Sequence, residues 1–153
     1  MKSHHPARRP ATGTPEDPIL AAGIVIWRNP AAPEFLLLRN SLHQTWGFAK
    51  GHLDSEESLM ECALRELKEE TGIELGEDDL AHDFADTSIY QPGGTAFKRV
   101  VMYLASSPCS DEVAPSAEHD QTEWCTPQRA LSLLEPQELR RTLVRAAGRI
   151  FPQ

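Results

Sequence analysis

Residues 51–73 read GHLDSEESLMECALRELKEETGI, and this segment predicts a loop followed by an amphipathic helix. Ser55 is a favourable N-cap for the helix, and Gly72 is a favourable residue at its C-terminal end. On a helical wheel the inward stripe consists of four side chains, those of Leu59, Cys62, Ala63 and Leu67. The stripe predicts that one face of this helix packs against the rest of the chain.

Two glutamates continue the apolar stripe. Glu66 and Glu70 project within about 20° of its centre, and Glu69 lies at its edge. A solvated acidic face, the alternative interpretation, would lie opposite the stripe. Glu66 and Glu70 are also four residues apart, where like charges repel by about 0.2–0.5 kcal/mol, and they lie near the helix C-terminus, which disfavours anions. A hard divalent cation bound by these carboxylates would compensate the cost, and Arg65 is spaced to orient Glu69.

The acidity of the whole chain is concentrated around this helix. The 153 residues carry a formal net charge of −8, but residues 54–79 contain 11 acidic and two basic side chains, a net −9. The remainder therefore carries +1. Because binding to nucleic-acid phosphates requires a basic surface, no nucleic-acid partner is expected.

Composition predicts one domain preceded by a tail. Residues 1–18 hold four prolines and three basic residues, so we interpret them as a flexible N-terminal tail before a domain at 19–153. No apolar run reaches the ~18–20 residues that span a bilayer, and the N-terminus has no signal-like segment, so neither membrane insertion nor secretion is expected. Three widely spaced cysteines without a Cys-x-x-Cys pattern favour a reducing compartment, the cytoplasm.

Strands are expected on both sides of the helix. Predicted strands lie at 19–27, 35–39 and 121–125, and a hairpin is predicted with strands at 84–90 and 97–105 and a turn at 91–94. Residues 41–50 predict irregular structure. Two further helices are expected, a short one after Thr126 and an amphipathic one at 136–150. This order predicts an α/β fold of the α+β kind, with helices packed on a mixed sheet.

The glutamates and glycines of the opening segment follow a fixed spacing, Gly51-x5-Glu57-x7-Arg65-Glu66-Leu67-x-Glu69-Glu70-x-Gly72-Ile73. At these nine positions the segment resembles the Nudix box, and the order of elements from about residue 19 to residue 150 resembles the Nudix fold. The resemblance implies an α/β/α sandwich with a loop-helix-loop metal site. It also implies an enzyme that hydrolyses nucleoside diphosphates linked to another moiety with Mg²⁺ or Mn²⁺.

The resemblance assigns roles within the box. It implies that Glu66, Glu69 and Glu70 bind the metal, that the Gly51 carbonyl assists them, and that Glu57 steadies the loop. Glu66 and Glu69, with Arg65 beside them, are the catalytic residues expected in the box. The chemistry agrees, because metal ions neutralise phosphate oxygens and lower the pKa of bound water during phosphoanhydride cleavage.

Residues outside the box indicate the substrate. Residues 46–52, WGFAKGH, resemble the Trp-x-Pro-Pro-Lys-Gly-His run of asymmetrical diadenosine tetraphosphate hydrolases, although Ala49 departs from its second proline. Tyr90 is placed like a tyrosine of that family, and its ring is expected to stack on adenine. Lys50 and Lys98 are expected to bind the polyphosphate.

The segment Glu118-His119 before Trp124 resembles a further feature of the same hydrolases. The resemblance implies that Glu118 reaches the metal or the attacking water, which makes it a candidate general base. No role is assigned to His119, and no second aromatic residue for the base is identified.

Together these features favour a metal-dependent hydrolase that cleaves diadenosine tetraphosphate to ATP and AMP by attack of water on phosphorus. One alternative keeps the chemistry but changes the substrate, to the 5′-triphosphate end of RNA or an inositol pyrophosphate. The other is a non-catalytic Nudix module that senses a nucleotide. The charge of +1 outside residues 54–79 counts against RNA, and the presence of Glu66, Glu69 and Glu70 counts against a sensor.

Overall fold

A computed structural model describes residues 7–108 and 113–151, and these residues contain seven strands and three α-helices. The strands are β1 (Ile19–Arg28), β2 (Glu34–Asn40), β3 (Trp46–Gly47), β4 (Ala49–His52), β5 (Asp86–Tyr90), β6 (Lys98–Ser106) and β7 (His119–Cys125). The helices are α1 (Leu59–Thr71), α2 (Pro127–Leu133) and α3 (Gln137–Ile150). Two 3₁₀ turns occupy Glu77–Asp79 and Pro92–Gly94.

The strands form one mixed sheet centred on β1. Strand β6 runs parallel to β1 along one edge, and β5 is antiparallel to β6. The other edge of β1 is shared, because β4 pairs with its first half and β2 pairs with Trp27 and Arg28 at its end. Strands β3 and β7 pair with β2. Strands β2 and β4 therefore separate along this edge.

Alternate side chains of β1 enter two cores on opposite faces of the sheet. Ile24 packs in the core under α1 together with Leu67. Val25 packs in the core on the other face together with Leu143 of α3. Helices thus cover both faces of a mixed sheet, and the predicted α/β/α sandwich is confirmed.

Helix α1 begins later than predicted, and its N-cap is Ser58 instead of Ser55. Ser58 Oγ accepts a hydrogen bond from the Glu61 N–H at 3.1 Å, and the Glu61 carboxylate accepts one from the Ser58 N–H at 2.9 Å. Ser55 cannot form this reciprocal pair, because the position three residues later is Ser58 and not an acidic residue. The predicted end of the helix is confirmed, since Gly72 adopts a φ of 80° and its N–H bonds the Lys68 carbonyl.

Two strands lie where irregular structure was predicted. Residues 41–50 include β3 and the first half of β4, and Leu38 pairs with Gly47 while Gly23 pairs with Lys50. These strands are too short and too weakly alternating to be recognised locally, and their partners in the sheet stabilise them. The first hairpin strand begins at Asp86, two residues after its predicted start at 84.

The described part of the N-terminal segment contacts the domain. The Arg8 N–H bonds the Ser55 carbonyl at 3.1 Å, and its guanidinium bonds the Glu57 carbonyl at 2.7 Å. Further along, the Phe97 N–H bonds the Gly13 carbonyl at 2.8 Å. Residues 1–6 lie outside the described residues, and the flexibility of segment 1–18 stays a prediction.

The cysteines that the structure describes are not placed for chemistry. Cys62 and Cys125 are buried with free thiols, and burial raises the pKa of each to about 12, so neither is a nucleophile near neutral pH. Cys109 lies outside the described residues. None of the helices in residues 7–108 and 113–151 has the length and apolar character that crossing a bilayer requires.

A buried carboxylate fastens α3 to the sheet. Asp86 of β5 is 5% exposed and accepts hydrogen bonds from the Thr142 hydroxyl and the Arg145 guanidinium. Both donors lie on α3, so the pairing fixes this helix over β5.

We expect Thr142→Val to lower the free energy of unfolding by about 1–3 kcal/mol, because Asp86 stays buried but loses a donor. Urea denaturation measures the change. The matched control is Val144→Ala on the same helix, where the side chain is 58% exposed, and its effect should stay within about 0.5 kcal/mol. Equal effects of the two substitutions would contradict a stabilising role for the Asp86 contact.

Candidate active site

A cleft of about 490 Å³ is lined by residues of both β2 and β4, the two strands that share one edge of β1. Its volume falls within the ~300–1,000 Å³ typical of small-molecule sites. Residues of β2, β3, β4 and α1 line it, as do the facing ends of β5 and β6. The predicted site residues in its lining are Lys50, Gly51, Glu70, Tyr90, Lys98 and Glu118.

An ion pair between Arg65 and Glu57 holds the loop that joins β4 to α1. Arg65 Nε lies 3.0 Å from one oxygen of Glu57 and Nη2 lies 2.7 Å from the other, and the carboxylate is almost fully buried. Glu57 also accepts the Asp54 N–H, and Arg65 also donates to the His52 carbonyl. Burial alone would raise the pKa of Glu57, but the hydrogen bonds from Arg65 and Asp54 outweigh it and lower the pKa. These contacts agree with the predicted structural role of Glu57.

Glu66 lies against the backbone of Gly51. A Cβ atom at position 51 would stand 2.0 Å from Glu66 Oε2, so any larger residue would displace this carboxylate. Glu66 Oε2 is buried and has no hydrogen-bond partner among the described residues. Burial raises the pKa of Glu66, and although Arg65 opposes the rise, the charge of Glu69 adds to it. A bound cation would satisfy a buried carboxylate oxygen of this kind.

Glu70 links α1 to β4 through a hydrogen bond with the backbone of Lys50. Its side chain is 5% exposed, and Oε2 accepts the Lys50 N–H at 2.9 Å. Burial, and then the charge of Glu66, raises the pKa of Glu70 to about 8 even though the Lys50 N–H favours the ionised form. Burial is the main cause of both raised pKa values, and neighbouring carboxyl groups perturbed in this way are typical of functional sites.

Glu118 and His119 face Glu70 from the start of β7. Each of the three residues offers one potential ligand atom, and these atoms lie within 4.8 Å of one another. The Ser41 N–H and hydroxyl both donate to the Glu118 carbonyl at 2.9 Å, which fixes this segment against the end of β2. Sequence reasoning gave His119 no role, although its position next to Glu118 was a signal that could have identified it.

Glu69 lies at the outer side of α1 and not in the cleft lining. Its side chain is 55% exposed, and both of its oxygens accept hydrogen bonds from Arg65, at 3.1 and 3.2 Å. The predicted contact between Arg65 and Glu69 is therefore present. Its proposed role as a ligand stays a prediction.

Lys50, Lys98 and the ring of Tyr90 also line the cleft. Lys50 Nζ lies 3.2 Å from the Tyr90 hydroxyl and 5.8 Å from the centroid of its ring. Tyr90 and Lys98 are paired across β5 and β6. Burial, followed by the charges of Lys98 and Lys50, lowers the pKa of His52, which keeps its imidazole neutral near pH 7.

The cleft contains two kinds of side chain that support different chemistry. Carboxylates such as Glu70 and Glu118 bind hard cations through oxygen. Ammonium groups such as Lys50 and Lys98 bind phosphate oxygens, and the Tyr90 ring offers a stacking surface for a base. The arrangement suits a substrate that carries both phosphates and a planar ring.

Most of the chain is similar to known proteins. The NUDIX domain model matches residues 17–146. The chain is 35% identical over 123 residues to the asymmetrical bis(5′-nucleosyl)-tetraphosphatase of Caenorhabditis elegans, with 79% of this chain and 88% of the relative covered. It is 34% identical over 133 residues to the Mus musculus protein of the same name, with 80% and 89% covered.

A solved structure gives the same result at the level of the fold. The crystal structure of a C. elegans Ap4A hydrolase binary complex superposes with a TM-score of 0.79 at 32% identity, and the match covers 86% of this chain and 97% of that one. Since the domain model spans most of the chain and both relatives exceed 30% identity, this protein belongs to the Nudix family and is a pyrophosphohydrolase.

Proposed function

We propose that this Nudix hydrolase cleaves diadenosine tetraphosphate to ATP and AMP by attack of water on phosphorus. The observation that carries the proposal is one cleft whose lining includes Glu70 and Glu118 together with Lys50, Lys98 and Tyr90. Relatives named as asymmetrical tetraphosphatases match about four fifths of the chain, which supports the same substrate class here.

The box residues would hold Mg²⁺ or Mn²⁺. Carboxylate oxygens of Glu66, Glu69 and Glu70 and the Gly51 carbonyl are the donors that hard divalent cations prefer, and the unpaired buried Oε2 of Glu66 fits such an ion. When bound, the ion neutralises charge on phosphate oxygens and lowers the pKa of water. Arg65 orients the Glu69 carboxylate from its outer side.

The lysines and Tyr90 bind the dinucleotide. Lys50 and Lys98 contact phosphate oxygens, and the Tyr90 ring stacks on one adenine, an interaction worth about 1–3 kcal/mol. The hydrogen bond between Lys50 and the Tyr90 hydroxyl fixes the two groups relative to each other. The base and the phosphate chain are then held in one orientation, which aligns a phosphorus atom for in-line attack.

Glu118 is the proposed general base. It accepts a proton from the attacking water as the new phosphorus–oxygen bond forms. The bridging oxygen on the far side of that phosphorus leaves with the ATP product, and the attacked phosphorus remains in AMP. The Ser41 hydroxyl donates a hydrogen bond to the Glu118 carbonyl, which fixes the backbone of this residue in the lining of the cleft.

Product analysis tests the reaction. With Mg²⁺, diadenosine tetraphosphate should yield ATP and AMP in equal amounts and no ADP, as measured by anion-exchange chromatography. RNA with a 5′-triphosphate end and an inositol pyrophosphate are run in parallel as the alternative substrates. Absence of turnover with any bis-nucleoside polyphosphate would exclude the proposed substrate.

We expect Glu66→Gln to lower kcat by about 10²–10⁴-fold, because metal catalysis supplies several kcal/mol and each 1.36 kcal/mol is tenfold in rate. The amide keeps the shape of the side chain but removes its charge. Steady-state kinetics with saturating substrate measures the change.

The matched control for this variant is Glu74→Gln, whose side chain is 74% exposed in the segment after α1. Its kcat should equal that of the wild type within about twofold, as expected for a surface substitution. If Glu66→Gln retained full turnover, the metal role of Glu66 would be wrong. If the wild type bound dinucleotide with no turnover, the sensor alternative would apply.

The metal-free protein should lose stability as the pH rises from 5 to 8.5. Glu70 has a folded pKa of about 8, above its ordinary value of 4.5, so its contribution is fully present below pH 4.5 and is lost as the pH rises through 8. In EDTA we expect the melting temperature to fall by at least ~2–4 °C, the shift that 1 kcal/mol produces in a chain of this size. Differential scanning fluorimetry across this pH range measures it.

Two comparisons isolate the contribution of Glu70. The Glu70→Gln variant in EDTA should show a smaller decline, because its side chain does not ionise. Saturating Mg²⁺ should raise the melting temperature of the wild type more at pH 8 than at pH 5.5, because protons and the cation compete for the same carboxylates. A wild-type decline equal to that of Glu70→Gln would contradict the raised pKa.

A further inference from the structure

We propose that His119 is a nitrogen ligand of a divalent ion in this cleft and that it favours transition-metal ions such as Mn²⁺ and Co²⁺ over Mg²⁺. The inference rests on the proposed metal-dependent function and adds a ligand from outside the box. It is carried by the juxtaposition of Glu70, Glu118 and His119.

The three residues come from two distant parts of the chain. Glu70 lies near the C-terminal end of α1, whereas Glu118 immediately precedes β7 and His119 is its first residue. Their potential ligand atoms are within 4.8 Å of one another. Ligands on opposite sides of an ion lie about 4.2 Å apart, twice a metal–ligand distance of about 2.1 Å, so small side-chain rotations complete the set.

The backbone around His119 is fixed by several hydrogen bonds. The His119 N–H bonds the Ser116 carbonyl at 3.1 Å, and the Ser116 N–H bonds the Glu70 carbonyl at 3.3 Å, which ties β7 directly to α1. The Ser41 N–H bonds the Glu118 carbonyl from the other side at 2.9 Å. The backbone positions that carry the three side chains are therefore fixed by the fold, which favours a preorganised metal site.

The imidazole itself has the environment of a metal ligand. His119 is half-buried, and the Ser116 hydroxyl lies 3.5 Å from Nδ1. Histidines that bind metal usually have a hydrogen-bond partner on the ring nitrogen that does not face the ion. A contact of Ser116 with Nδ1 leaves the other ring nitrogen for the ion.

The donor set determines which ion benefits. Mg²⁺ is bound almost entirely through oxygen and keeps much of its water, so an imidazole adds little to its affinity. First-row transition metals accept nitrogen together with carboxylate oxygen, and their affinity for such sites rises along the series from Mn²⁺. Two carboxylates with one imidazole therefore favour Mn²⁺ or Co²⁺ over Mg²⁺. Glu118 offers one oxygen as a ligand, and its other oxygen remains the proton acceptor of the proposed reaction.

Pulsed electron paramagnetic resonance of the full chain with Mn²⁺ and no nucleotide tests the inference. The wild type should show the ¹⁴N modulation of a directly bound imidazole, and ¹⁵N-histidine labelling should change it. The modulation should disappear in His119→Gln and persist in the control His52→Gln, which alters another histidine of the same cleft. Circular dichroism confirms that each variant is folded.

Calorimetry supplies an independent measurement. His119→Gln should weaken Mn²⁺ binding by about 10–100-fold and Mg²⁺ binding by less than about threefold. An imidazole signal that persists in His119→Gln, or is absent from a wild type that binds Mn²⁺, overturns the inference and leaves the proposed function intact. An equal loss of affinity for both ions overturns the selectivity. Failure of the wild type to bind either ion at millimolar concentration overturns both proposals.

Discussion

Arg65 donates two hydrogen bonds to the buried carboxylate of Glu57 and a third to the His52 carbonyl, and these contacts join α1 to the loop before it. The planar guanidinium matches the carboxylate in two-point geometry, which a lysine could not provide. Since β4 is paired to β1, fixing this loop also fixes Gly51 against Glu66. Removing either partner would leave the loop free and, if Arg65 were lost, an uncompensated buried charge at Glu57.

The inward face of α1 carries two acidic side chains that the fold alone does not stabilise. Glu66 and Glu70 are drawn from water by their position on the inward face of α1, and burial raises the pKa of both. A protein selected only for stability would place apolar side chains there. Buried acids at these positions are costly to a ligand-free fold, and such local departures from stability are typical of functional sites.

The acidic and the basic side chains of the cleft come from different elements of the fold. The carboxylates come from α1 and the start of β7, whereas Lys50 and Lys98 come from β4 and β6. The backbone hydrogen bond from Lys50 to Glu70 places the two sets within a few ångströms of each other without pairing the ammonium group to an acid. The lysine side chain instead bonds Tyr90, which leaves the carboxylates available to a cation.

From the sequence alone, helical periodicity predicts the inward position of Glu66 and Glu70, glycine conformation predicts the end of α1 at Gly72, and strand composition predicts helices packed on a mixed sheet. All three are local properties of the chain. The sequence predicted the N-cap of α1 at Ser55. The N-cap is Ser58 instead, because Ser58 and Glu61 form a reciprocal pair of hydrogen bonds. Strands β3 and β4 form only because their partners in the sheet pair with them, and His119 approaches Glu70 across 49 residues of chain only in the folded molecule. Contacts between distant segments depend on how the sheet and helices pack together, and no local pattern encodes that packing.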